Sequence, residues 1–132
     1  MFFAEKEEER FPKEIRKKIY DLKAKDKEIY HLSKEGENIN LNLINFTINS
    51  LSLFLEYEKR LNNEQKNLMT EAIGNIPITF FILDNLKVDK KIEETINPLI
   101  NIADAPPANL HINRKKLIIE VLHKLEKIKN ET

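Results

Sequence analysis

The sequence predicts an all-α protein of five to six helices, arranged as an irregular bundle around a helix over residues 39–61. Two observations support this prediction. The segment 39–61 contains 12 apolar residues among 23, and its polar residues recur at steps of three and four, which is the spacing of one helical face. Apolar residues recur at the same spacing on one face of a segment over about 114–129. Both segments are therefore amphipathic helices in the prediction.

The helix over 39–61 is expected to pack on two sides, because a narrow polar row separates two apolar strips. The row consists of Asn42, Asn45, Asn49, Ser52, Glu56 and Lys59. The strips consist of Leu41, Ile44, Ile48, Leu51 and Leu55, and of Leu43, Phe46, Phe54, Tyr57 and Leu61. Such a row is usually a solvent-facing edge. In the alternative, Asn42, Asn45 and Asn49 line a groove or a partner surface, where buried amides need hydrogen-bond partners.

The preceding helix is predicted from Pro12, whose fixed φ suits a first helical position, to Gly36, a common C-terminal cap. Its inward side chains are Ile15, Ile19, Leu22 and Ile29. We expect residues 1–11 to form a mobile N-terminal tail. A chain of 132 residues has the size of one domain, so residues 1–132 are predicted to form a single all-helical domain.

A third helix is predicted to begin with Asn63 as its cap and to end at Gly74 and Pro77. Residues 77–86 are ambiguous, because a short apolar run with β-branched and aromatic residues also describes a buried strand. A strand needs a partner, and the Asn/Leu alternation at 38–43 is already assigned to a helix. We therefore expect a short buried helix over 77–86.

The last third of the chain is predicted to contain two more helices. Asp89 caps the first of them, which places Ile92 and Ile96 inward, and Asn97-Pro98 bends or restarts it. Residues 104–109 form a loop, since Pro106 and Pro107 lie there. The last helix runs from about Arg114 to Lys129, and its inward residues are Leu117, Ile118, Val121, Leu122, Leu125 and Ile128.

An internal repeat offers an alternative architecture. Residues 48–51 recur at 96–99 and residues 66–73 recur at 115–122, with offsets of 48 and 49 and six identities. Armadillo and HEAT repeats have periods near this length, so the alternative fold is a short armadillo/HEAT-like stack of helical hairpins. Two amphipathic helices also resemble each other by chance, and two units are fewer than the usual minimum of about three.

Composition excludes several classes of function. Lys plus Arg equals Asp plus Glu at 22 each, so no overall charge attracts a polyanion. The absence of cysteine excludes disulfides, thiolate metal sites and cysteine nucleophiles. The N-terminus lacks the pattern of a secretory signal, and no apolar run is long enough to span a membrane. We expect a cytoplasmic protein.

Catalytic and metal motifs are weak in this chain. Glu28 and His31, like Glu120 and His123, have the Glu-x-x-His spacing of helical di-iron sites. On the helical wheel, however, Glu28, His31 and His123 lie opposite the apolar strips of their helices. His111 has no second histidine at helical spacing. With only two glycines, a glycine-rich phosphate loop is impossible. We expect no enzyme, no cofactor and no metal site.

By elimination, the sequence predicts a non-catalytic protein–protein interaction module, such as an adaptor, chaperone, inhibitor or immunity protein. It would bind a protein partner or self-associate, with Asn42, Asn45 and Asn49 as candidate contacts. The alternative is a nucleic-acid-associated protein using the basic last helix through Lys115, Lys116, Lys124 and Lys127. Nucleic acid is the less favoured partner, because two glutamates interrupt these lysines and no aromatic residue lies among them for base stacking.

Overall fold

The helices account for most of the chain in a computed structural model that describes residues 11–35, 38–102 and 113–131, with the backbone alone for 30–35. These ranges contain five α-helices and no strand. The α-helices are α1 (Lys13–Glu35), α2 (Ile39–Tyr57), α3 (Asn63–Gly74), α4 (Lys90–Ile96) and α5 (Arg114–Glu131). Shorter segments are 3-10 helices at Glu58–Arg60 and Asn97–Ile102 and a π-helix at Ile78–Leu83. The predicted all-α bundle is confirmed.

The central element is α2, which packs against α1 and α5 and also contacts α3. Its buried residues are Leu43, Ile44, Phe46, Thr47, Ser50, Leu51, Leu53, Phe54 and Tyr57. Within the polar row, Asn49, Ser52 and Glu56 are exposed. The predicted packing on two sides is therefore confirmed, although Leu41, assigned to an apolar strip, is 37% exposed. The α-helix also ends earlier than predicted, at Tyr57.

Asparagines hold the start of α2 in place. The Asn38 side chain caps the helix by accepting a hydrogen bond from the backbone N–H of Leu41 at 3.2 Å. The Asn40 side chain accepts a hydrogen bond from the backbone N–H of Asp89 at 2.9 Å. This second bond joins the N-terminal turn of α2 to the residue that precedes α4.

The predicted cap of α3 was wrong by one residue. The cap is Asn62, whose side chain accepts a hydrogen bond from the N–H of Gln65 at 2.8 Å, while the Gln65 side chain accepts one from the N–H of Asn62 at 3.0 Å. This reciprocal capping box requires Glu or Gln three residues after the cap. Asn62 has Gln65 at that position, whereas Asn63 has Lys66.

The π-helix corrects two expectations about residues 77–86. Pro77 precedes the π-helix with φ −63°, so it begins a helical segment rather than ending one. The segment is helical, as predicted, but the expected burial was wrong. Phe80 alone is buried among its six residues, whereas Ile82 and Leu83 are 67% and 73% exposed.

The first helix begins at Lys13, and the Pro12 carbonyl accepts a hydrogen bond from the N–H of Arg16 at 3.0 Å. Phe11, assigned by the sequence to the N-terminal tail, is buried at 3% exposure. The rest of that tail, the predicted cap at Gly36 and the predicted loop over 104–109 lie outside the described residues. Near the other end of the chain, Asn97–Ile102 continues directly from α4 as a 3-10 helix.

Of the two segment pairs of the predicted repeat, 66–73 and 115–122 both lie in α-helices, α3 and α5, whereas 48–51 and 96–99 have different backbone structures. Residues 48–51 lie in the interior of α2, whereas residues 96–99 cross the junction between α4 and the second 3-10 helix. Helical repeats of the armadillo and HEAT kind place equivalent residues in equivalent helices. The similarity between 48–51 and 96–99 therefore does not correspond to a shared local structure.

A left-handed residue ends the π-helix. Asn85 has φ 51°, a region that Asn tolerates better than most residues and that strongly disfavours β-branched side chains. This turn lets the N–H of Leu86 donate to the Phe80 carbonyl at 2.7 Å. The N–H of Asp84, one residue before Asn85, donates to the Thr79 carbonyl at 2.8 Å. The turn also buries Leu86 at 7% exposure.

We predict that Asn85→Val destabilises the protein by about 1 to 2 kcal/mol, because valine is strained at positive φ. Asn85→Gly should stay within about 1 kcal/mol of the parent chain, since glycine adopts this conformation freely. Urea unfolding measures both values. The control is Asn75→Val, because Asn75 has φ −81°. Equal losses of stability for valine at positions 85 and 75 would contradict the proposed strain.

Candidate functional site

The residues with metal-ligand chemistry do not converge. In the part of the chain that the structure describes, no three His, Asp or Glu side chains are grouped so that they could hold a metal ion. Glu28 is exposed and accepts a hydrogen bond from Lys25 at 3.0 Å. Glu120 and His123 are exposed on α5. The side chain of His31 and the whole of His111 lie outside the described residues.

The polar row of α2 borders a groove between α1 and α2. Its lining includes Asn49, Ser52 and Glu56 from α2 and Lys18 and Asp21 from α1, and its volume is about 300 Å³. Of the three asparagines predicted to contact a partner, Asn49 lines this groove, while Asn42 and Asn45 are half-buried and do not. The charges along the groove are mixed, so its chemistry selects no single class of ligand.

The basic helix α5 uses some of its cations internally. Lys115 forms an ion pair with Glu58 at 2.6 Å, and the Glu58 side chain is only 16% exposed. Arg114 donates hydrogen bonds to the Asn67 side chain at 2.8 Å and to the Thr70 hydroxyl at 3.2 Å. These contacts fix the start of α5 against the first 3-10 helix and α3.

All four predicted lysines are exposed on α5, and Lys115 differs from the other three by its ion pair with Glu58. These other three are Lys116, Lys124 and Lys127. Glu120, which is also exposed, lies four residues from Lys116 and from Lys124, so it is their neighbour on the helix surface. The exposed surface of α5 therefore carries both signs of charge.

A polar cluster joins α1 to the C-terminal end of α2. The Tyr57 hydroxyl donates to Glu14 Oε1 at 2.6 Å, and Arg60 donates to Glu14 Oε2 at 3.2 Å. The Arg60 guanidinium and the Lys18 ammonium also lie 5.3 and 5.8 Å from the centre of the Tyr57 ring, within the range of cation–π attraction. Two helices are thus tied together by one aromatic residue.

The same cluster shifts two pKa values in opposite directions. The hydrogen bonds from Tyr57 and Arg60 hold the pKa of Glu14 below its usual value of 4.5. The hydrogen bond to Glu14 raises the pKa of Tyr57 to about 12. At neutral pH the Tyr57 phenol is protonated and donates its hydrogen bond to the Glu14 carboxylate. The hydrogen bond between the phenol and this carboxylate therefore helps to hold α1 against the end of α2.

Among the described residues, the most prominent exposed apolar feature is a pair of adjacent residues, Ile82 and Leu83, which we call the exposed pair. Their side chains are 67% and 73% exposed. The other large exposed apolar residues in the described ranges are Tyr20, Leu41 and Ile100, at 51%, 37% and 40%. Isolated residues of this kind are normal on a protein surface. Two neighbouring aliphatic side chains with most of their surface in water are less readily explained by packing.

Buried contacts with α2 hold the π-helix that carries the exposed pair. Phe80, two residues before Ile82, is 1% exposed and meets Phe46 of α2 edge to face, with ring centroids 5.5 Å apart at 77°. That geometry is favourable for aromatic rings. The hydrogen bonds of Asp84 and Leu86 close the other end of the segment. The pair is therefore presented on a segment fixed at both ends.

Sequence reasoning missed the exposed pair, because residues 76–83 form a nearly continuous apolar run and such runs are normally buried. Local sequence gave one usable signal. Asp84-Asn85 follows the run directly, and Asn tolerates the left-handed conformation that turns the chain. That signal predicts a turn after Leu83, but it does not predict which apolar side chains face solvent.

Comparison with known proteins gave no match to a family model, to a curated protein or to a solved structure. No helix within residues 11–35, 38–102 and 113–131 combines the length and apolar character needed to cross a membrane.

We predict that Tyr57→Phe destabilises the protein most between pH 4.5 and 10.0, the usual pKa values of Glu14 and Tyr57. Because the folded pKa of Glu14 is lowered, its contribution is present above pH 4.5 and is lost as the pH falls through the folded value. Because the folded pKa of Tyr57 is raised, its contribution is present below pH 10.0 and is lost as the pH rises through about 12.

Urea unfolding across this pH range measures the effect of Tyr57→Phe. The matched control is Tyr20→Phe, since Tyr20 is 51% exposed and its variant should show little change at any pH. A stability difference for Tyr57→Phe that is independent of pH would contradict the assigned role of the hydrogen bond to Glu14.

Proposed function

We propose that this chain is a non-catalytic protein-binding module of the adaptor, chaperone, inhibitor or immunity type, which contacts its partner through the exposed pair. The observation that supports this proposal most strongly is the 67% and 73% exposure of Ile82 and Leu83 on one fixed segment. Contiguous exposed apolar side chains are typical of interaction sites. The module acts without a cofactor.

The energetics favour this use of the exposed pair. Full burial of one aliphatic side chain contributes roughly 1.5 to 3 kcal/mol, and a few such residues carry most of the binding energy of many interfaces. Ordering a flexible segment on binding reduces affinity. The contact of Phe80 with Phe46 and the hydrogen bond from Leu86 to Phe80 hold the segment before a partner arrives, so this cost is small.

Nucleic acid is the weaker proposal for the partner. The ion pair of Lys115 with Glu58 engages one of the four lysines on which that proposal depends. Glu120 lies among the other three on α5, where it reduces the attraction to phosphates.

The absence of cysteine from the chain supports a proposed location in the reducing cytoplasm.

Affinity capture from a lysate of the source organism, read by mass spectrometry, tests the proposed function. We expect the parent chain to enrich a specific protein, or added copies of itself, and the double variant Ile82→Ser/Leu83→Ser to lose that protein. Removing two exposed aliphatic side chains should leave stability within about 0.5 kcal/mol, as at most surface sites.

The matched control is Ile100→Ser, which removes an isolated aliphatic side chain that is 40% exposed. It should capture the same protein as the parent chain. The proposal is wrong if the parent chain enriches nothing above a blank resin, or if the double variant retains every captured protein.

A further inference from the structure

An acidic group lies next to the exposed pair. Asp84 follows Leu83 directly, and its carboxylate forms no ion pair with any residue in the described ranges. Lys87, the nearest cation along the chain, directs its ammonium group to the Asn85 side chain at 3.3 Å. The apolar surface of the exposed pair is therefore bordered by a negative charge.

A second carboxyl group of α1 lies close to Asp84. Burial raises the pKa of Asp26, and repulsion from the Asp84 carboxylate also acts in that direction. The two acidic residues come from elements that are far apart in sequence. Asp26 has an interaction partner of its own, so Asp84 is the carboxylate that favours a positively charged group on whatever covers the exposed pair.

A second copy of this chain is a poor occupant for this surface. The common symmetric dimer places the same patch on both subunits against itself, so each Asp84 would approach its counterpart with the same charge. Stable interfaces also use roughly 20 to 30 residues on each side, whereas the exposed pair supplies two. Two adjacent projecting side chains suit insertion into a pocket better than contact between flat surfaces.

We propose that Ile82 and Leu83 insert into an apolar pocket of a different protein, and that a Lys or Arg on the rim of this pocket pairs with Asp84. This inference rests on the proposed function, because it specifies the partner for the same surface. The aliphatic side chains supply affinity through burial. The ion pair at the rim sets orientation and makes the association sensitive to salt.

Site-specific photo-crosslinking in a lysate of the source organism locates the contact. A benzophenone amino acid replaces Lys87, which is exposed, follows Leu83 by four residues and leaves the exposed pair intact. The control chain carries the same group at Lys124, which is also exposed. We expect position 87, but not position 124, to crosslink to a different protein. The crosslinked peptide should lie at an apolar pocket with a Lys or Arg on its rim.

The protein identified by the crosslink is then purified on its own and titrated with variants of this chain. This titration measures separately what the aliphatic side chains and the ion pair contribute to binding. Leu83→Ser should weaken binding about tenfold or more, as at an interface hot spot. Asp84→Asn should weaken binding about threefold to tenfold and reduce its dependence on NaCl concentration. The matched controls Ile100→Ser and Glu120→Gln should bind like the parent chain.

The outcomes separate this inference from the proposed function. Crosslinking to a second copy of the chain overturns the inference but retains self-association. Successful capture without a crosslink from position 87 also overturns it, because the partner then binds elsewhere. If Asp84→Asn leaves binding unchanged, the proposed ion pair between Asp84 and the rim of the pocket is wrong. If capture by the parent chain fails, the proposed function and this inference are both wrong.

Discussion

Burial of the broad face of α2 is the constraint on which the other elements depend. That face contains two hydroxyl residues as well as apolar ones, and both are almost completely buried. Thr47 donates its hydroxyl hydrogen to the Leu43 carbonyl, and Ser50 donates to the Phe46 carbonyl, each at 2.9 Å. Because these bonds lie within the helix, neither hydroxyl needs a partner from a neighbouring element. Their small side chains allow close packing at the centre of the bundle.

Each part of α2 also fixes a different neighbour. At its start, Asn40 accepts a hydrogen bond from the backbone of Asp89 and so positions α4. In its first half, Phe46 meets Phe80 and supports the π-helix. At its end, Tyr57 donates to Glu14 and holds α1. One helix thus places the surface proposed for binding and joins it to the core.

The sequence predicted the parts of this structure that depend on helical periodicity. Steps of three and four residues identified α2 and its polar row, and the same rule placed Ile92, Ile96 and the inward face of α5, whose buried members include Val121 and Leu125. The cap of α3 was misplaced because Asn62 and Asn63 are equally good caps by type. Gln65 decides between them, since it completes a capping box with Asn62.

The candidate site was less predictable because it depends on non-local and backbone geometry. Ile82 and Leu83 resemble core residues in composition, and their exposure follows from π-helical hydrogen bonding and the positive φ of Asn85. The partner of Lys115 is Glu58, 57 residues earlier in the chain, and no local pattern indicates that contact. Of the predicted asparagines, Asn49 lies in a groove, where side chains of α1 supply one wall.

Binding through the exposed pair requires above all that α2 holds the segment bearing this pair in a fixed conformation. Native-state hydrogen exchange of the Asp84 and Leu86 amides tests this claim directly, because these N–H groups donate the two bonds that end the π-helix. We expect both amides to be protected to an extent comparable with the interior of α2. Exchange near the rate of an unfolded chain, while α2 stays protected, would contradict the account.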